Sequence, residues 1–232
     1  MRLFIDSANL EEIRTAASWG ILSGVTTNPT LLAKEDPTLD PWEHLREIHR
    51  LVGGHISVEV TATDTSGMVR EAYEIVSHIS EAVIKIPMTP EGMAAVRELT
   101  RENIPTNVTL IFSPAQALLA ANAGASFVSI FLGRLDDVGS DGLRVLETVC
   151  DIWDRQGFDA EIIAASLRHP MHLVEAARLG ADIATAPFRV LHQAMKHPLT
   201  DLGLQAFLED YRRLQEEQAR RRQLSLTEVA SR

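Results

Sequence analysis

A single lysine interrupts the apolar run AVIKIPM, residues 82–88, which otherwise has the composition of a fully buried strand. Side chains alternate along a strand, so Lys85 points to the face opposite Ile84 and Ile86. The two isoleucines suit a face covered by helices, which leaves the lysine on the inner face. Burying an ammonium group there costs several kcal/mol unless the group is paired or loses its proton. Lys85 therefore needs either a partner or a chemical function.

Two interpretations of Lys85 stay open on this residue alone. It is half of a structural ion pair, with Glu59 or Asp6 as the acid, or it is an uncharged amine that forms a Schiff base with a carbonyl substrate. Carbon–carbon chemistry through an iminium also needs a general acid or base within hydrogen-bond reach. Glu59 and Asp6 are the candidates, and Thr109 can hold a relaying water. Asp6 has the alternative of capping a helix that begins near Asn9, whereas a Glu59–Lys85 ion pair does not exclude catalysis.

A second group of residues predicts an anion site. The motif FLGR places Arg134 three residues after Phe131, and the motif ASLR places Ser166 and Arg168 two residues apart. Each arginine taken singly is explained by a surface salt bridge. Two guanidinium groups and a hydroxyl at the ends of adjacent strands can instead hold a phosphate through paired hydrogen bonds.

Eight short apolar, β-branched runs alternate with segments of helical periodicity. The runs begin at Leu3, Gly24, Ile56, Ala82, Pro105, Ser126, Glu161 and Asp182. This alternation indicates a parallel sheet with both faces covered, and eight strands in 232 residues favour a (β/α)8 TIM barrel. A doubly wound open sheet is the alternative, but it would usually carry a glycine-rich loop after its first strand, where this chain has IDSANLEE. Thr65 and Ser66 are the candidate N-caps of one connecting helix.

Polar side chains stand at the carboxyl ends of these predicted strands, where a TIM barrel places its catalytic residues. One polar strand end has little meaning, because it can cap the next helix. A series of them converges on one mouth of a barrel. The series consists of Asp6, Asn28, Glu59, Lys85, Asn107 with Thr109, Ser129 with Phe131, and Ser166, all polar except Phe131.

The composition changes near residue 200, which predicts a barrel over residues 1–200 and a C-terminal helix with a tail over residues 201–232. The helix carries an apolar stripe of Leu204, Phe207, Leu208, Tyr211 and Leu214, followed by a basic and then polar tail. This stripe packs either on its own barrel or on a neighbouring subunit.

Charge and composition restrict the remaining classes of function. The formal net charge is -10, which argues against non-specific binding to nucleic acid or to an anionic membrane. Cys150 is the single cysteine, no apolar run approaches the length of a membrane span, and the first residues lack the apolar core of a signal peptide. The eight histidines show no metal-ligand spacing. These features predict a cytoplasmic protein without a metal site.

Several long motifs together resemble those of the short, single-domain bacterial transaldolase family, which includes the fructose-6-phosphate aldolases. The similarity extends from Met1 to about residue 199. It rests on FIDSAN, GVTTNPTLL, VEVTA, VIKIPMT, NVTLIFSPAQALLAANAGASFVSIFLGRLDD and AASLRHP. The resemblance implies a class I aldolase barrel.

The resemblance also assigns the catalytic groups. The lysine of VIKIP, Lys85, would form the Schiff base, and the acid of FID, Asp6, would deprotonate the substrate hydroxyl during carbon–carbon cleavage. Glu59 and Thr109 would position and activate the catalytic water. No metal or organic cofactor is implied, because the iminium on Lys85 serves as the electron sink.

The other site residues are implied to bind a sugar-phosphate substrate. Asn28 and Asn107 would bind hydroxyl groups, and Ser129 would contact the dihydroxyacetone unit. The phosphate would be held by Arg134, Ser166 and Arg168.

Three residues favour a transaldolase over an aldolase, namely Glu59, Asn107 and Phe131. The related aldolases carry glutamine at the first of these positions and tyrosine at the third, and they lack the asparagine. The implied reaction converts sedoheptulose 7-phosphate and glyceraldehyde 3-phosphate into erythrose 4-phosphate and fructose 6-phosphate, in the pentose phosphate pathway. An aldolase that releases free dihydroxyacetone is the nearest alternative. A non-catalytic sugar-phosphate sensor is a further one, but binding alone needs no buried amine.

Members of the short family assemble as pentamer rings, often stacked into decamers, with the C-terminal helix crossing to a neighbour. The resemblance therefore favours a homo-oligomer in which the apolar stripe of this helix packs on another subunit.

Overall fold

A computed structural model describes residues 1–230, with side chains described as far as residue 223. Eight parallel strands form a closed barrel in chain order, with the last strand paired to the first. This confirms the predicted (β/α)8 TIM barrel and all eight predicted strands. The strands are β1 (Arg2–Asp6), β2 (Leu22–Thr26), β3 (His55–Glu59), β4 (Ala82–Pro87), β5 (Thr106–Ile111), β6 (Phe127–Phe131), β7 (Glu161–Ala165) and β8 (Ile183–Ala186).

Helices follow the strands, and those within residues 1–193 pack around the barrel. They are α1 (Leu10–Ser18), α2 (Pro29–Leu32), α3 (Pro41–Val52), α4 (Thr65–His78), α5 (Pro90–Arg101), α6 (Pro114–Ala123), α7 (Leu132–Asp137), α8 (Gly142–Gln156), α9 (Pro170–Leu179), α10 (Phe188–Ala194) and α11 (Pro198–Ala230). Five of the first nine begin with proline, whose fixed φ suits the first helical position.

The N-cap predicted for α4 was wrong by one or two residues. Asp64, and neither Thr65 nor Ser66, is the cap, and its carboxylate accepts a hydrogen bond from the amide of Gly67 at 2.9 Å. The hydroxyl of Ser66 also donates to Asp64. A carboxylate is favoured at the N-cap because it carries a full negative charge at the positive end of the helix dipole.

The outer and inner faces of the strands have separate cores. Ile84 and Ile86 are fully buried in the large cluster between the sheet and the helices. A smaller inner cluster of Phe4, Ile163 and Ile183, with Phe127 packed against it, fills the barrel below the strand ends. These four residues form a floor that separates the polar mouth from the amino-terminal end of the barrel.

A glycine makes room for this floor. A Cβ atom on Gly24 would lie 2.6 Å from the ring of Phe4, which is closer than side chains pack. Gly24 is therefore the small residue that lets the phenylalanine enter the barrel interior.

Two compact units divide the chain: Met1–Gln193 contains the barrel, and a second unit begins at Ala194 and contains α11. Over the helices that the structure describes, no stretch is long and apolar enough to cross a membrane.

Candidate active site

A cavity of about 570 Å³ opens at the carboxyl ends of the strands. Its wall contains all but one of the residues predicted for the site. Those present are Asp6, Asn28, Glu59, Lys85, Thr109, Ser129, Phe131, Arg134, Ser166 and Arg168. These residues come from five strands, β1, β3, β4, β5 and β6, and from the segments that follow β2, β6 and β7. Asn107, the residue absent from the wall, lies behind it.

Lys85 and Glu59 face each other across neighbouring strands. The register pairs Glu59 on β3 with Lys85 on β4, and Lys85 Nζ lies 3.1 Å from Glu59 Oε2. The lysine side chain is only 6% exposed, and its ammonium also donates to the carbonyl oxygen of Thr27 at 3.1 Å. The ion-pair partner left open by the sequence is therefore Glu59. The same contact gives the amine an acceptor for its proton, which a nucleophilic lysine requires.

Asp6 ends β1 as a half-buried carboxylate in the wall of the same cavity. Its Oδ1 accepts a hydrogen bond of 2.7 Å from the hydroxyl of Thr26. Burial raises the pKa of Asp6, and the charge of Lys85 and the Thr26 hydrogen bond offset part of that rise. Asn9 caps α1 through bonds of 3.1 Å from the amides of Glu11 and Glu12, so the cap alternative for Asp6 is wrong. Its carboxylate faces the cavity and is not used as a helix cap.

Thr26 is itself oriented by β8. Its Oγ1 lies 2.7 Å from Oγ1 of Thr185, and either hydroxyl can donate. Because the proton of Thr26 is directed to Asp6, Thr185 must be the donor to Thr26. This short chain fixes the hydrogen bond that the carboxylate of Asp6 receives.

Thr109 presents a hydroxyl that has no protein partner. Its Oγ1 is buried and makes no hydrogen bond within the part of the chain that the structure describes. The next residue, Leu110, has φ 60°, and the β5–β6 register shifts between Val108 and Ile111. Such a bulge redirects side chains and is frequent beside active sites. An unsatisfied buried hydroxyl costs about 1–3 kcal/mol, so a bound water or substrate is its natural partner.

The end of the cavity that was predicted to bind an anion is built by β6, α7 and the loop after β7. Ser166 adopts φ 58°, an unusual conformation for a residue other than glycine, and its carbonyl oxygen accepts from the amide of Gly133 at 3.0 Å. A Cβ atom on Gly133 would lie 2.2 Å from that oxygen. The glycine of FLGR therefore allows this close approach, which brings Arg134 next to Ser166.

The two predicted arginines are held differently. The guanidinium carbon of Arg134 lies 5.1 Å from the centroid of the Phe131 ring, within cation–π range. Arg168 pairs at the rim with Asp137 through its side chain, while its backbone amide donates to Nδ1 of the buried His172 at 3.2 Å. The loop that carries Arg168 is thus anchored by its backbone, and the guanidinium stays at the mouth.

Asn28 and Asn107 use their amides within the protein. The carbonyl oxygen of Asn28 caps α2 by accepting from the amide of Leu31 at 3.0 Å, so its amide nitrogen is the group left to donate into the cavity. Asn107 is fully buried. Its Nδ2 donates to Ser57 Oγ at 3.0 Å, and its Oδ1 accepts from Ser129 Oγ at 2.8 Å. Asn107 therefore reaches the cavity through Ser129.

Five polar residues of the cavity wall were missed by sequence reasoning: Thr26, Thr30, Lys34, Thr185 and Arg189. Thr185 and Thr26 could have been found, because each is a polar residue on the inner face near the end of its strand. Arg189 follows the last strand, and its guanidinium donates to the carbonyl oxygen of Arg168 at 3.2 Å. Lys34 lies in the loop after α2 and had no sequence signal. With the two predicted arginines, these cations make the mouth locally positive on an acidic protein.

Known proteins resemble this chain over nearly its whole length. The profile of the family described as Transaldolase/Fructose-6-phosphate aldolase matches residues 3–232. A protein of Aquifex aeolicus named "Probable transaldolase" is 53% identical over 216 residues, which cover 93% of this chain and 99% of the relative. A protein of Thermoanaerobacter sp. with the same name is 54% identical over 213 residues, which cover 92% of this chain and 98% of the relative.

A solved structure of low sequence identity supports the fold, and only the fold. The thiamine phosphate pyrophosphorylase of Pyrococcus furiosus matches with a TM-score of 0.56 at 17% identity, covering 79% of this chain and 84% of the other. At that identity the match concerns the barrel and not the reaction. The family is shown by the sequence matches, which extend over nearly the whole chain. The chain belongs to the transaldolase/fructose-6-phosphate aldolase family.

Proposed function

We propose that this protein is a transaldolase that transfers a dihydroxyacetone unit through a Schiff base on Lys85. The donor is sedoheptulose 7-phosphate or fructose 6-phosphate, and the acceptor is glyceraldehyde 3-phosphate or erythrose 4-phosphate. The observation that carries the proposal is the buried Lys85–Glu59 contact of 3.1 Å in the wall of a cavity that also contains Asp6 and the arginines. A site that only bound sugar phosphates would need the arginines but not the buried amine.

The first step requires an uncharged amine. Lys85 gives a proton to Glu59, and its nitrogen attacks the ketone carbon of the donor to form a carbinolamine. The carbinolamine hydroxyl then takes a proton and leaves as water, which produces the iminium. A water held between Glu59 and Thr109 would relay that proton, because the Thr109 hydroxyl has no partner in the described part of the chain.

The second step breaks the bond between C3 and C4 of the donor. Asp6 takes the proton of the C4 hydroxyl, the aldose phosphate leaves as an aldehyde, and the bonding pair moves into the iminium to give an enamine. A raised pKa suits Asp6 to both directions of this transfer. The enamine then attacks the acceptor aldehyde, Asp6 returns the proton, and hydrolysis of the new iminium regenerates Lys85.

The side chains near the three-carbon unit favour transfer over release. Glu59 is a carboxylate paired with Lys85, and Phe131 is a buried ring packed edge-on against Phe112 at 5.7 Å, with no hydroxyl to activate water. Both features slow hydrolysis of the bound unit until an aldehyde acceptor arrives. An aldolase that releases dihydroxyacetone is the competing outcome of the test below.

The test traps the covalent intermediate. Borohydride added with fructose 6-phosphate should reduce the iminium and leave a mass adduct on the peptide that contains Lys85, and Lys85→Met should abolish it. Absence of the adduct from wild-type Lys85 contradicts the mechanism. Turnover of fructose 6-phosphate should also depend on erythrose 4-phosphate, whereas acceptor-independent turnover identifies an aldolase.

We also propose a cellular setting and an assembly. The reaction places the protein in the pentose phosphate pathway in the cytoplasm, and the apolar residues of α11 would pack on a neighbouring subunit in a pentamer or decamer. Phe207, Tyr211 and Leu214 are all at least 50% exposed. Light scattering on wild type and on Phe207→Ser should show a homo-oligomer that the substitution weakens, while a monomeric wild type contradicts the assembly.

A further inference from the structure

A buried chain of hydrogen bonds runs from the floor of the barrel to the cavity wall. His55 Nε2 lies 2.6 Å from Ser57 Oγ, which accepts from Nδ2 of Asn107 at 3.0 Å. The carbonyl oxygen of Asn107 accepts from Ser129 Oγ at 2.8 Å, and Ser129 lines the cavity. Ser57, Asn107 and Ser129 are each at most 2% exposed. No step of the proposed mechanism uses His55.

The direction of these bonds follows from the number of protons available. When Nε2 of His55 carries no proton it can only accept, so the single hydroxyl proton of Ser57 goes to Nε2 while Ser57 Oγ accepts from Asn107. Ser129 likewise gives its single proton to Asn107. The oxygen of Ser129 therefore offers only lone pairs to the cavity, and it acts as an acceptor for a substrate hydroxyl.

The surroundings of His55 keep its ring uncharged. Phe4 on β1 and Phe127 on β6 each have a ring centroid 4.7 Å from that of His55. The charged groups nearby are Arg2 on β1 and its ion-pair partner Glu161 on β7. Burial lowers the pKa of His55 to about 4, and the charge of Arg2 adds to this effect. The ring can therefore accept at Nε2 at neutral pH.

The protonation of His55 Nε2 and the orientation of the Asn107 side-chain amide are coupled. If Nε2 carried a proton, it would donate to Ser57, and the hydroxyl of Ser57 would turn to the carbonyl oxygen of Asn107. The amide of Asn107 would then have to flip, with its nitrogen facing Ser129. Ser129 would accept that bond and direct its own proton into the cavity. One nitrogen at the barrel floor thus sets whether Ser129 accepts or donates at the cavity.

We propose that His55 is a positioning residue, which acts through Ser57 and Asn107 to hold the hydroxyl of Ser129 as an acceptor for the bound dihydroxyacetone unit. The inference rests on the proposed function for the identity of the ligand. The relay itself rests only on the geometry of the four residues.

Two substitutions separate this function from a packing function. His55→Phe keeps an aromatic ring between Phe4 and Phe127 but removes the acceptor, so the hydroxyl of Ser57 turns to Asn107. His55→Gln removes the ring but leaves an amide oxygen near the position of Nε2. We expect His55→Phe to raise the KM for fructose 6-phosphate about fivefold, the value of one hydrogen bond, with little change in Tm.

His55→Gln gives the opposite pattern, with a lower Tm and a KM close to that of wild type. If His55 matters only for packing, the glutamine variant is the one impaired in KM. If the wild-type protein is active and the KM of His55→Phe is unchanged, the inference is overturned and the proposed function stays intact. Wild-type protein that turns over no sugar phosphate overturns the proposed function instead.

A measurement without turnover tests the direction of the relay. The ¹⁵N chemical shifts of the His55 ring in the wild-type protein at neutral pH report which nitrogen carries the proton. We expect an unprotonated Nε2 and a protonated Nδ1. A protonated Nε2 overturns the inference, whatever the activity of the protein.

Discussion

Lys85 Nζ and Glu59 Oε2 lie 3.1 Å apart on register-paired residues of adjacent strands, in the wall of a cavity that is otherwise rich in cations. This contact shows how a lysine can belong to an apolar strand and remain chemically useful. The carboxylate compensates the buried ammonium before substrate binds and can accept its proton afterwards. In the proposed mechanism, a structural ion pair and a reactive amine are therefore two states of the same pair.

The stability of the protein should depend on this pair as a unit. Lys85→Met leaves the Glu59 carboxylate buried without its cation, and we expect the free energy of unfolding in urea to fall by about 3 kcal/mol. The double variant Lys85→Met, Glu59→Gln removes both charges and should recover most of that loss. If the double variant is no more stable than the single one, the two residues are not energetically coupled.

The fall of kcat/KM at acid pH should reflect protonation of Asp6. Its pKa lies above the ordinary value of 3.8 because of burial, and only the ionised form can accept the substrate proton. The kcat/KM should therefore fall as the pH drops through this raised pKa. Thr26→Val removes the hydrogen bond that stabilises the carboxylate, so the limb should move to higher pH, by about one unit. If the acid limb of kcat/KM does not move in Thr26→Val, protonation of a group other than Asp6 causes the loss of activity.

The same shift has a consequence for stability. Because the pKa of Asp6 is higher in the folded than in the unfolded protein, ionisation of this residue costs more in the fold. Its contribution to the free energy of unfolding should be greatest at acid pH and should be lost as the pH rises through the raised pKa. Asp6→Asn should abolish activity and remove this part of the pH dependence, as urea titrations at several pH values will show.

The strand ends were predictable from sequence because one rule of the fold determines them. Polar residues on the inner face at the carboxyl end of a barrel strand must enter the same mouth. Asp6, Glu59 and Ser129 satisfied that rule and line the cavity. The same alternation predicted which face of β4 packs on the helices, and Ile84 and Ile86 are buried there.

The depth of each side chain was not predictable in this way. Strands in a barrel are tilted, so a line of register-paired residues descends along the barrel axis. Glu59 pairs with Lys85, Lys85 with Asn107, and Asn107 with Phe127, and this line starts in the cavity and ends at the floor. Asn107 was predicted to stand at a carboxyl strand end, and this was wrong: it is the second residue of β5 and lies buried behind Ser129.

Backbone conformation was also outside the reach of sequence patterns. Leu110 and Ser166 adopt positive φ without being glycine or asparagine, which no local propensity indicates. Both residues line the cavity. Strain of this kind persists where tertiary contacts over-determine the chain, and it clusters at functional sites.

The close packing of Gly133 on Ser166 should be essential to the anion site. In Gly133→Ala, the added methyl would lie 2.2 Å from the carbonyl oxygen of Ser166, so the loop must move away from α7. We expect the KM for fructose 6-phosphate to rise about tenfold, the effect of losing one charged hydrogen bond to phosphate. Gly203→Ala, which meets nothing within 4 Å, is the matched control and should leave KM unchanged. Equal values for both variants would show that the contact does not shape the site.

The carboxylate of Asp137 should compete with substrate phosphate for Arg168. The pair lies at the rim with both side chains about half exposed, while the backbone amide and carbonyl of Arg168 are held by His172 and Arg189. Asp137→Asn should therefore free the guanidinium without moving its loop. A rim ion pair is worth less than about 1 kcal/mol, so we expect the KM for fructose 6-phosphate to fall by about two- to fivefold.

Two controls identify the cause of that change. Glu175→Gln removes a comparable surface pair, Glu175 with Arg178 at 2.7 Å, whose residues are absent from the cavity wall, and it should leave KM unaltered. Unphosphorylated fructose should react equally with wild type and Asp137→Asn, since Arg168 would have no phosphate to bind. A rise in the KM for fructose 6-phosphate would instead show that Asp137 holds the guanidinium in place, because the loss of orientation would then outweigh the loss of competition.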